Sequence, residues 1–429
     1  MTAVLDAPLA TSSVDPVSFQ VCGWLWLAEH QSTIVAVEAW ADDTLLGETT
    51  DLQSRPDVNA ALALPPSALT GFALRAHHPA AALGTSFTLA LHTRFRDGTR
   101  TAALVLKTIT TLAAAAHPLG ALRAAVSPSA LGLEIGAHAL PTPGLNPFFT
   151  DSVAAYACVA GRVDFLSDAR ALPLPADTLD YLCSSHVIEH LSDPLAALHE
   201  WHRVLLPGGL LYLVAPDKRV TFDAPRPVTT AAHLLGNFHE PAAPDDTPVH
   251  LDEFIFQTDW DKLQPGTPAA EKPLRQAASR DYYLGELRAG RLVDIHFHTF
   301  TPDSLHEILV AAGFLGSPSS LFTLISRAEY YPPERGDGIA LLLQKRSGSR
   351  SAPAPDGGTI VLRHTTAAVA PLPLVCPITL SPLRETIDAT GRREFTAANG
   401  GHQYHFDGTL PSLLPPPGVR PLRPWKKPA

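Results

Sequence analysis

Between residues 16 and about 110, short apolar runs alternate with turn signals, and Phe87, Leu89, Leu91 and Phe95 fall on one side of a period-two segment. Asp97-Gly98 supplies a hairpin turn and Ala102 to Ile109 the partner strand. The pattern predicts an all-β module over residues 1–112. The Ala-rich stretch 111–130 holds a linker and one helix, and after it the pattern changes. Mainly apolar runs at Leu131 to Ile135, Pro147 to Thr150, Arg162 to Leu166, Asp180 to Ser184 and Leu210 to Val214 are set apart by longer mixed stretches. Such runs suit a parallel sheet covered by helices on both faces, an α/β class. One covering helix is predicted from Pro194 to about Leu205. A second opens at Thr301-Pro302-Asp303-Ser304, which offers an N-cap, a proline at the first helical position and an early acid. Its apolar face is Leu305, Ile308 and Leu309, and Gly313 ends it. Strand-like Leu321 to Ser326 and Gly338 to Gln344 follow.

Residues 221–298, roughly 80 positions between the fifth run and the Thr301 helix, are far more than a usual connection. They are rich in His, Asp, aromatics and Pro, and their position after the fifth run predicts a substrate-binding cap over the carboxyl ends of the strands. Residues 347–370 read as a Ser/Pro/Gly linker, 371–415 as a small β domain, and 416–429, ending Arg423-Pro-Trp-Lys-Lys-Pro-Ala, as a disordered tail.

The length of 429 residues implies two or three domains, and 45% hydrophobic against 17% charged residues implies ample cores. A net charge of -10 gives no general basic face, which argues against sequence-independent nucleic-acid binding. No window approaches about 18 uninterrupted apolar residues, so no membrane span is predicted, and the N-terminal residues lack a leader pattern. The expected location is the cytoplasm. Cys22, Cys158, Cys183 and Cys376 form no CxxC pair, and neither a disulfide framework nor a metal site is expected of them.

The chemistry-bearing stretch runs from Asp168-Ala169 through Asp180-Tyr-Leu-Cys-Ser-Ser-His186-Val-Ile-Glu-His190 to Asp193-Pro194, and on to Leu206-Pro207-Gly208-Gly209. It resembles the second half of a class I S-adenosylmethionine-dependent methyltransferase domain of the type 11 kind, and the resemblance extends over roughly residues 117 to 346. It implies a Rossmann-like, seven-stranded sheet ending in an antiparallel hairpin, with S-adenosylmethionine as cofactor. Carried onto this chain, Glu134-Ile135-Gly136 matches the start of the family's first motif. Asp151 stands as the ribose acid, Asp168 with Ala169 on the adenine side, and Ser185-His186 across the cofactor from the end of strand four. The chain departs from the family after Gly136, where His138 and Leu140 stand in place of further glycines.

A proton acceptor for transfer can be sought among His186, His190, Asp217, His239, His296 and His298, since imidazole titrates near neutrality. His186, His190 and His298 are the catalytic candidates. His296 and His298 alternate on an extended segment and are expected to face one pocket. Lys218-Arg219 offers an anion site. His186-Val-Ile-Glu189-His190 also satisfies the H-x-x-E-H pattern of zinc peptidases, a second enzyme class. A binding protein that no longer holds cofactor is a third reading.

The N-terminal module looks like the β-sandwich that precedes some bacterial glycosyltransferases and methyltransferases. Residues 374–415 resemble the small zinc-ribbon-derived domain of the methyltransferase activator and its bacterial relatives, without the cysteines of a ribbon. That domain is expected to fold metal-free around Leu374, Leu380, Leu383, Tyr404, Phe406 and Leu410. Together these resemblances imply methyl transfer to a small-molecule, glycan or lipid-linked saccharide acceptor. Oligomeric state is left open.

Overall fold

A computed structural model of the chain describes residues 2–8, 13–28, 31–78, 81–112, 117–137, 141–156, 159–160, 162–239, 246–331, 336–346, 360–387, 392–399, 401–407 and 410–415. His138 and Leu140, Cys158, most of the 347–370 linker and the whole 416–429 tail lie outside the described residues. The chain forms two compact units, Met1–His117 with Tyr331–Gly336, and Pro118–Tyr330 with Asp337–Ala429.

In the first unit a four-stranded sheet and a five-stranded sheet bury Phe19, Val21, Leu25, Val37, Leu89 and Leu91 in one core. The hairpin read from Asp97-Gly98 joins Ser86–Phe95 to Val105–Thr111, with Phe87 opposite Ile109 and Leu91 opposite Val105. Gly98 sits at φ 85°, the left-handed conformation that the turn needs and that glycine adopts without steric cost.

The second unit is built on parallel strands β1 (Gly132–Ile135), β2 (Phe148–Asp151), β3 (Phe165–Leu166), β4 (Leu179–Ser185) and β5 (Leu205–Pro216). β6 (Phe322–Tyr331) and β7 (Gly338–Lys345) follow, β7 running antiparallel to β5. Strand β5 starts five residues earlier than its apolar run suggests. Leu205 already pairs with Leu179, and the register shifts before Leu210, where Gly208 takes φ 84°.

The sheet does not stop at seven strands. β8 (Leu383–Ile387), β9 (Arg393–Ala397), β10 (Gln403–Asp407) and β11 (Leu410–Ser412) extend it, giving the order β6-β7-β5-β4-β1-β2-β3-β11-β10-β9-β8. The expectation of a C-terminal domain with its own core is therefore corrected. Leu374, Leu383 and Tyr404 are buried, but in a core continuous with Leu172, Leu174, Phe165 and Trp201 of the catalytic region, while Leu380 and Leu410 are only half-buried. The physical reason is edge pairing: β11 lies parallel to β3 with Ser412 opposite Leu166, and Val375 N–H donates to the Pro173 carbonyl at 2.8 Å. An open edge strand is a liability, and these strands cover it. Cys376 is buried with its sulfur 3.1 Å from the Tyr404 hydroxyl, a hydrogen-bonded thiol rather than one of a ligand set.

Helices α1 (Pro118–Ala125) and α2 (Pro194–Val204) cover the sheet. The sequence of α2 explains its place. Asp193 caps it by accepting from the Ala196 N–H, Pro194 opens it, and Leu195, Leu198, Trp201 and Val204 recur on the buried face. Trp201 is fully buried and donates its indole N–H to the Ala169 carbonyl at 2.9 Å.

On the same helix, burial and then the nearby Lys345 charge push the His202 imidazole down to about 4. Because the native ring resists protonation that the unfolded chain accepts near 6.5, this contribution is complete above that pH and is lost as pH falls towards 4. Between pH 7.5 and 5 the native state should lose about 2 kcal/mol through His202 alone. Urea unfolding at the two pH values should show that loss in the native chain and not in His202→Gln. Equal losses in both would remove His202 as the cause.

The cap comprises α3 (Ala231–His239), α4 (Thr247–Gln257), a short turn at Trp260–Leu263 and α5 (Lys272–Arg288). Leu251, Phe254, Ile255, Trp260, Val293, Ile295 and Phe297 form a small core of its own. The chain returns to the sheet through α6 (Pro302–Ala311), where Thr301 and Ser304 make a reciprocal capping box, and Gly313 ends it at φ 78°. Among the described residues, no helix is long and apolar enough to cross a membrane.

Candidate active site

The carboxyl ends of β1, β2, β3, β4 and β5 bring Gly136, Asp151, Asp168, Ser185-His186 and Asp217 to one edge of the sheet. β2 and β3 run side by side with Asp151 opposite Leu166, and the Ser167 N–H donates to the Asp151 carbonyl at 2.9 Å, so Asp151 and Asp168 stand on neighbouring strand ends.

Gly136 has φ 69°, and its N–H donates to the Thr150 carbonyl at 2.9 Å. A Cβ added there would run into Val187 Cγ2, so the close approach of the first-strand turn to the segment after β4 requires glycine. Glu134 is only 1% exposed and does not reach the open edge. Its carboxylate accepts from the Thr142 N–H at 2.9 and 3.0 Å and from the Thr142 hydroxyl at 2.7 Å. Burial pushes its carboxyl up to about 7 in spite of those bonds. Glu134 thus anchors the far end of the loop after Gly136, and Thr142, which sequence reasoning missed, is its partner.

Asp151 is half-buried, and its Oδ1 accepts from the Ser152 N–H at 2.6 Å, turning the chain sharply after β2. Both oxygens of Asp168 are engaged by Arg170, through Nε at 3.0 Å and Nη2 at 2.7 Å, and Arg170 Nη1 donates to Ser192 Oγ at 3.1 Å. Asp168 therefore holds the turn that carries Ala169 and ties it to the loop before α2. Ser185 is half-buried at the end of β4, opposite Val214.

His186 takes φ 54°, unusual for a residue with a Cβ. Its Nδ1 lies 3.6 Å from Glu189 Oε1, and its Nε2 is buried without a hydrogen-bond partner. Glu189 is fully buried, with His190 Nε2 at 3.7 Å from the same oxygen. Burial alone would raise its carboxyl, yet His186, His190 and His296 hold it below the usual range. His190 turns its Nδ1 to Asp294 at 2.7 Å, and against burial Asp294 and Glu189 keep its imidazolium above the ordinary value. Only Ile188–His190 forms a helical turn, a single 3-10 one, so His186 and His190 are not stacked on a helix face and the zinc-peptidase reading of H-x-x-E-H fails on geometry. The donor atoms that do converge are those of Glu189, His190 and His296, within 4.8 Å of one another.

His296 and His298 do not share a pocket in the way their alternation suggests. Val293, Ile295 and Phe297 enter the cap core, His296 Nδ1 meets Asp223 Oδ2 at 2.6 Å, and the fully buried His298 joins His233 and His250 instead. Asp223 in turn holds Arg226 Nη1 at 2.8 Å, both side chains 1% exposed. Asp217 is bound bidentately by Arg219, which also reaches Glu329 at 3.0 Å, and Lys218 donates to the Ala224 carbonyl at 2.7 Å. Both side chains of that pair are engaged within the fold. Asp223, Arg226, His233 and His250 were not singled out as functional by the sequence, and Glu189 entered only as the acid of the H-x-x-E-H pattern. The only local signals were the i,i+3 spacing of Asp223 and Arg226 and the i,i+4 spacing of Asp246 and His250.

Residues 149–213 match the family model for a methyltransferase domain. A stretch of 61 residues is 41% identical to an uncharacterized 37.1 kDa protein in transposon TN4556 of Streptomyces fradiae, covering 14% of this chain and 18% of that one. Another of 58 residues is 38% identical to the demethylmenaquinone methyltransferase of Chlamydia muridarum, covering 14% of this chain and 25% of that one. The chain thus spans a quarter or less of the length of these curated relatives. Among solved structures, a SAM dependent methyltransferase from Aquifex aeolicus is 14% identical over 54% of this chain and 90% of that chain, with a TM-score of 0.27. Over residues 149–213, then, the chain is similar to a methyltransferase domain.

Proposed function

We propose that the chain transfers a methyl group to a small molecule, or to a glycan or lipid-linked saccharide, held beneath the cap of residues 221–298. The observation that carries this reading is the convergence of Gly136, Asp151, Asp168 and Ser185-His186 on one sheet edge, in and around the stretch that matches a methyltransferase domain. The glycan alternative rests on the kind of module that the N-terminal sheets resemble. In this reading the C-terminal strands descend from a zinc ribbon that has lost its metal, and the enzyme works in the cytoplasm.

S-adenosylmethionine, when bound, supplies an electrophilic methyl group. The residues present fit it: Gly136 at φ 69° lets the turn after β1 pack closely against Val187, and Asp151 ends the strand beside it. Asp151 would hold the ribose hydroxyls, Ala169 on its Asp168-braced turn would border the base, and Ser185-His186 would stand across from them. His186 accepts the acceptor's proton through Nε2 while Glu189 orients the ring, and His190, held by Asp294, is a positioning residue. In-line transfer needs alignment and exclusion of water, which the cap provides.

Calorimetric titration tests the reading. The native chain should bind S-adenosylmethionine and S-adenosylhomocysteine, and Asp151→Ala should weaken both by about 1.5–3 kcal/mol, the worth of a hydrogen bond to a charged acceptor. No binding at millimolar ligand would leave a lapsed binding protein on this fold. Unchanged affinity in Asp151→Ala would remove that residue from the site.

A further inference from the structure

We infer that His233, His250 and His298, with the Asp246 carboxylate, form a site in the cap for a first-row divalent cation of the zinc class. The inference is independent of the methyl-transfer reading. The three imidazoles come from α3, from α4 and from the segment leading back to α6, and their ligand atoms lie within 4.8 Å of one another. His233 Nε2 is 3.2 Å from His250 Nε2, and Asp246 Oδ2 is 3.3 Å from His250 Nε2 and 3.6 Å from His233 Nε2. A tetrahedral zinc ion with bonds of ~2.0–2.1 Å separates its donors by about 3.3 Å, so these three atoms already span one face of such a polyhedron. His298 is fully buried, and its Nδ1 has no hydrogen-bond partner. A buried, unsatisfied polar atom is costly, and a metal would satisfy it.

The surroundings match what metal-binding side chains need. A ligating imidazole commonly gives its other nitrogen to a carboxylate or carbonyl, and a ligating carboxylate is itself hydrogen-bonded. His250 Nδ1 lies 3.6 Å from Glu253 Oε2 without a hydrogen bond, His298 turns Nε2 to the Ser192 carbonyl at 3.5 Å, and Asn237 donates to Asp246 Oδ2 at 2.7 Å. Three nitrogens and a carboxylate suit zinc, copper or nickel better than magnesium or calcium. Four protein ligands would close the site, which is the signature of a structural rather than a catalytic ion. Its place is the junction of α3, the N-terminus of α4 and the segment before α6.

The full chain, made without a histidine tag, is loaded with Zn2+ or Co2+, passed through a desalting column and analysed for metal, with the Co2+ form read by its tetrahedral absorption. The expected result is one ion per chain, a melting temperature that falls on chelation, and a loss of affinity in His233→Gln beyond the ~100-fold typical of losing an outer-shell partner. His233 is partly exposed and tolerates replacement better than His298, and Asp246→Asn gives a second variant at the surface side. His190→Gln should keep the ion. No ion retained by the native chain would mean an imidazole hydrogen-bond cluster only and would overturn the site. So would an ion kept by both His233→Gln and Asp246→Asn, or one lost from His190→Gln alone, which would move it to Glu189, His190 and His296.

Discussion

Asp223→Ala should destabilise the cap by about 3–5 kcal/mol, the usual consequence of leaving one member of a buried ion pair without its partner. Asp223 and Arg226 are each 1% exposed, 2.8 Å apart, and Asp223 also holds His296 at 2.6 Å. Without the carboxylate, Arg226 keeps only the Phe297 carbonyl at 3.3 Å and Glu253 at 3.8 Å, while its Nε already has no hydrogen-bond partner. The penalty belongs to the stranded guanidinium rather than to a lost attraction. The double replacement Asp223→Leu with Arg226→Met should therefore cost less than Asp223→Ala alone. Limited proteolysis and hydrogen exchange over residues 221–298, with urea unfolding of all three proteins, measure this. A double variant as unstable as Asp223→Ala, or more so, would mean that the pair is a net stabiliser and that the stranded guanidinium is not the source of the penalty.

Gly136→Ala is the second large effect and acts on both fold and cofactor. The left-handed φ of 69° costs an L residue about 1–2 kcal/mol. Overpacking against Val187 adds about 1–3 kcal/mol if the segment after β4 cannot yield. If it does yield, the shift is transmitted to Ser185-His186, and misplacement of that order lowers a bound reaction's efficiency about 100-fold. Adding Val187→Ala should restore part of the stability and none of the cost of the φ angle. Melting and cofactor titration on the single and double variants separate the two terms. Full recovery in the double variant would show that steric contact, and not backbone strain, makes glycine necessary.

The parts of this fold that could be read in advance are those whose information is local. The apolar runs at 131–135, 147–150 and 180–184 and the Asp193-Pro194 start of α2 are contiguous signals, and the elements stand within a residue or two of them. Strand β5 was shortened because Leu206-Pro207-Gly208-Gly209 has the composition of a turn, and only pairing of Leu205 with Leu179 makes it strand. The H-x-x-E-H string misled because i,i+4 spacing means a shared face only on a helix, and His186 at φ 54° has left it. Asp223, His233, Asp246 and His250 carry no common period. They meet because separate helices of the insertion fold back on one another, which a linear pattern does not encode.

Strand β3 is two residues long, and its outer neighbour β11 arrives almost 250 residues later, Ser412 lining up with Leu166. Contacts so distant in sequence form late and slowly, because the loop must close before any pairing rewards it. During synthesis, then, the strand that precedes Asp168 stays an unpaired rim until the ribosome has passed Ser412. A nascent chain stalled before that point presents an open strand edge that chaperones would recognise.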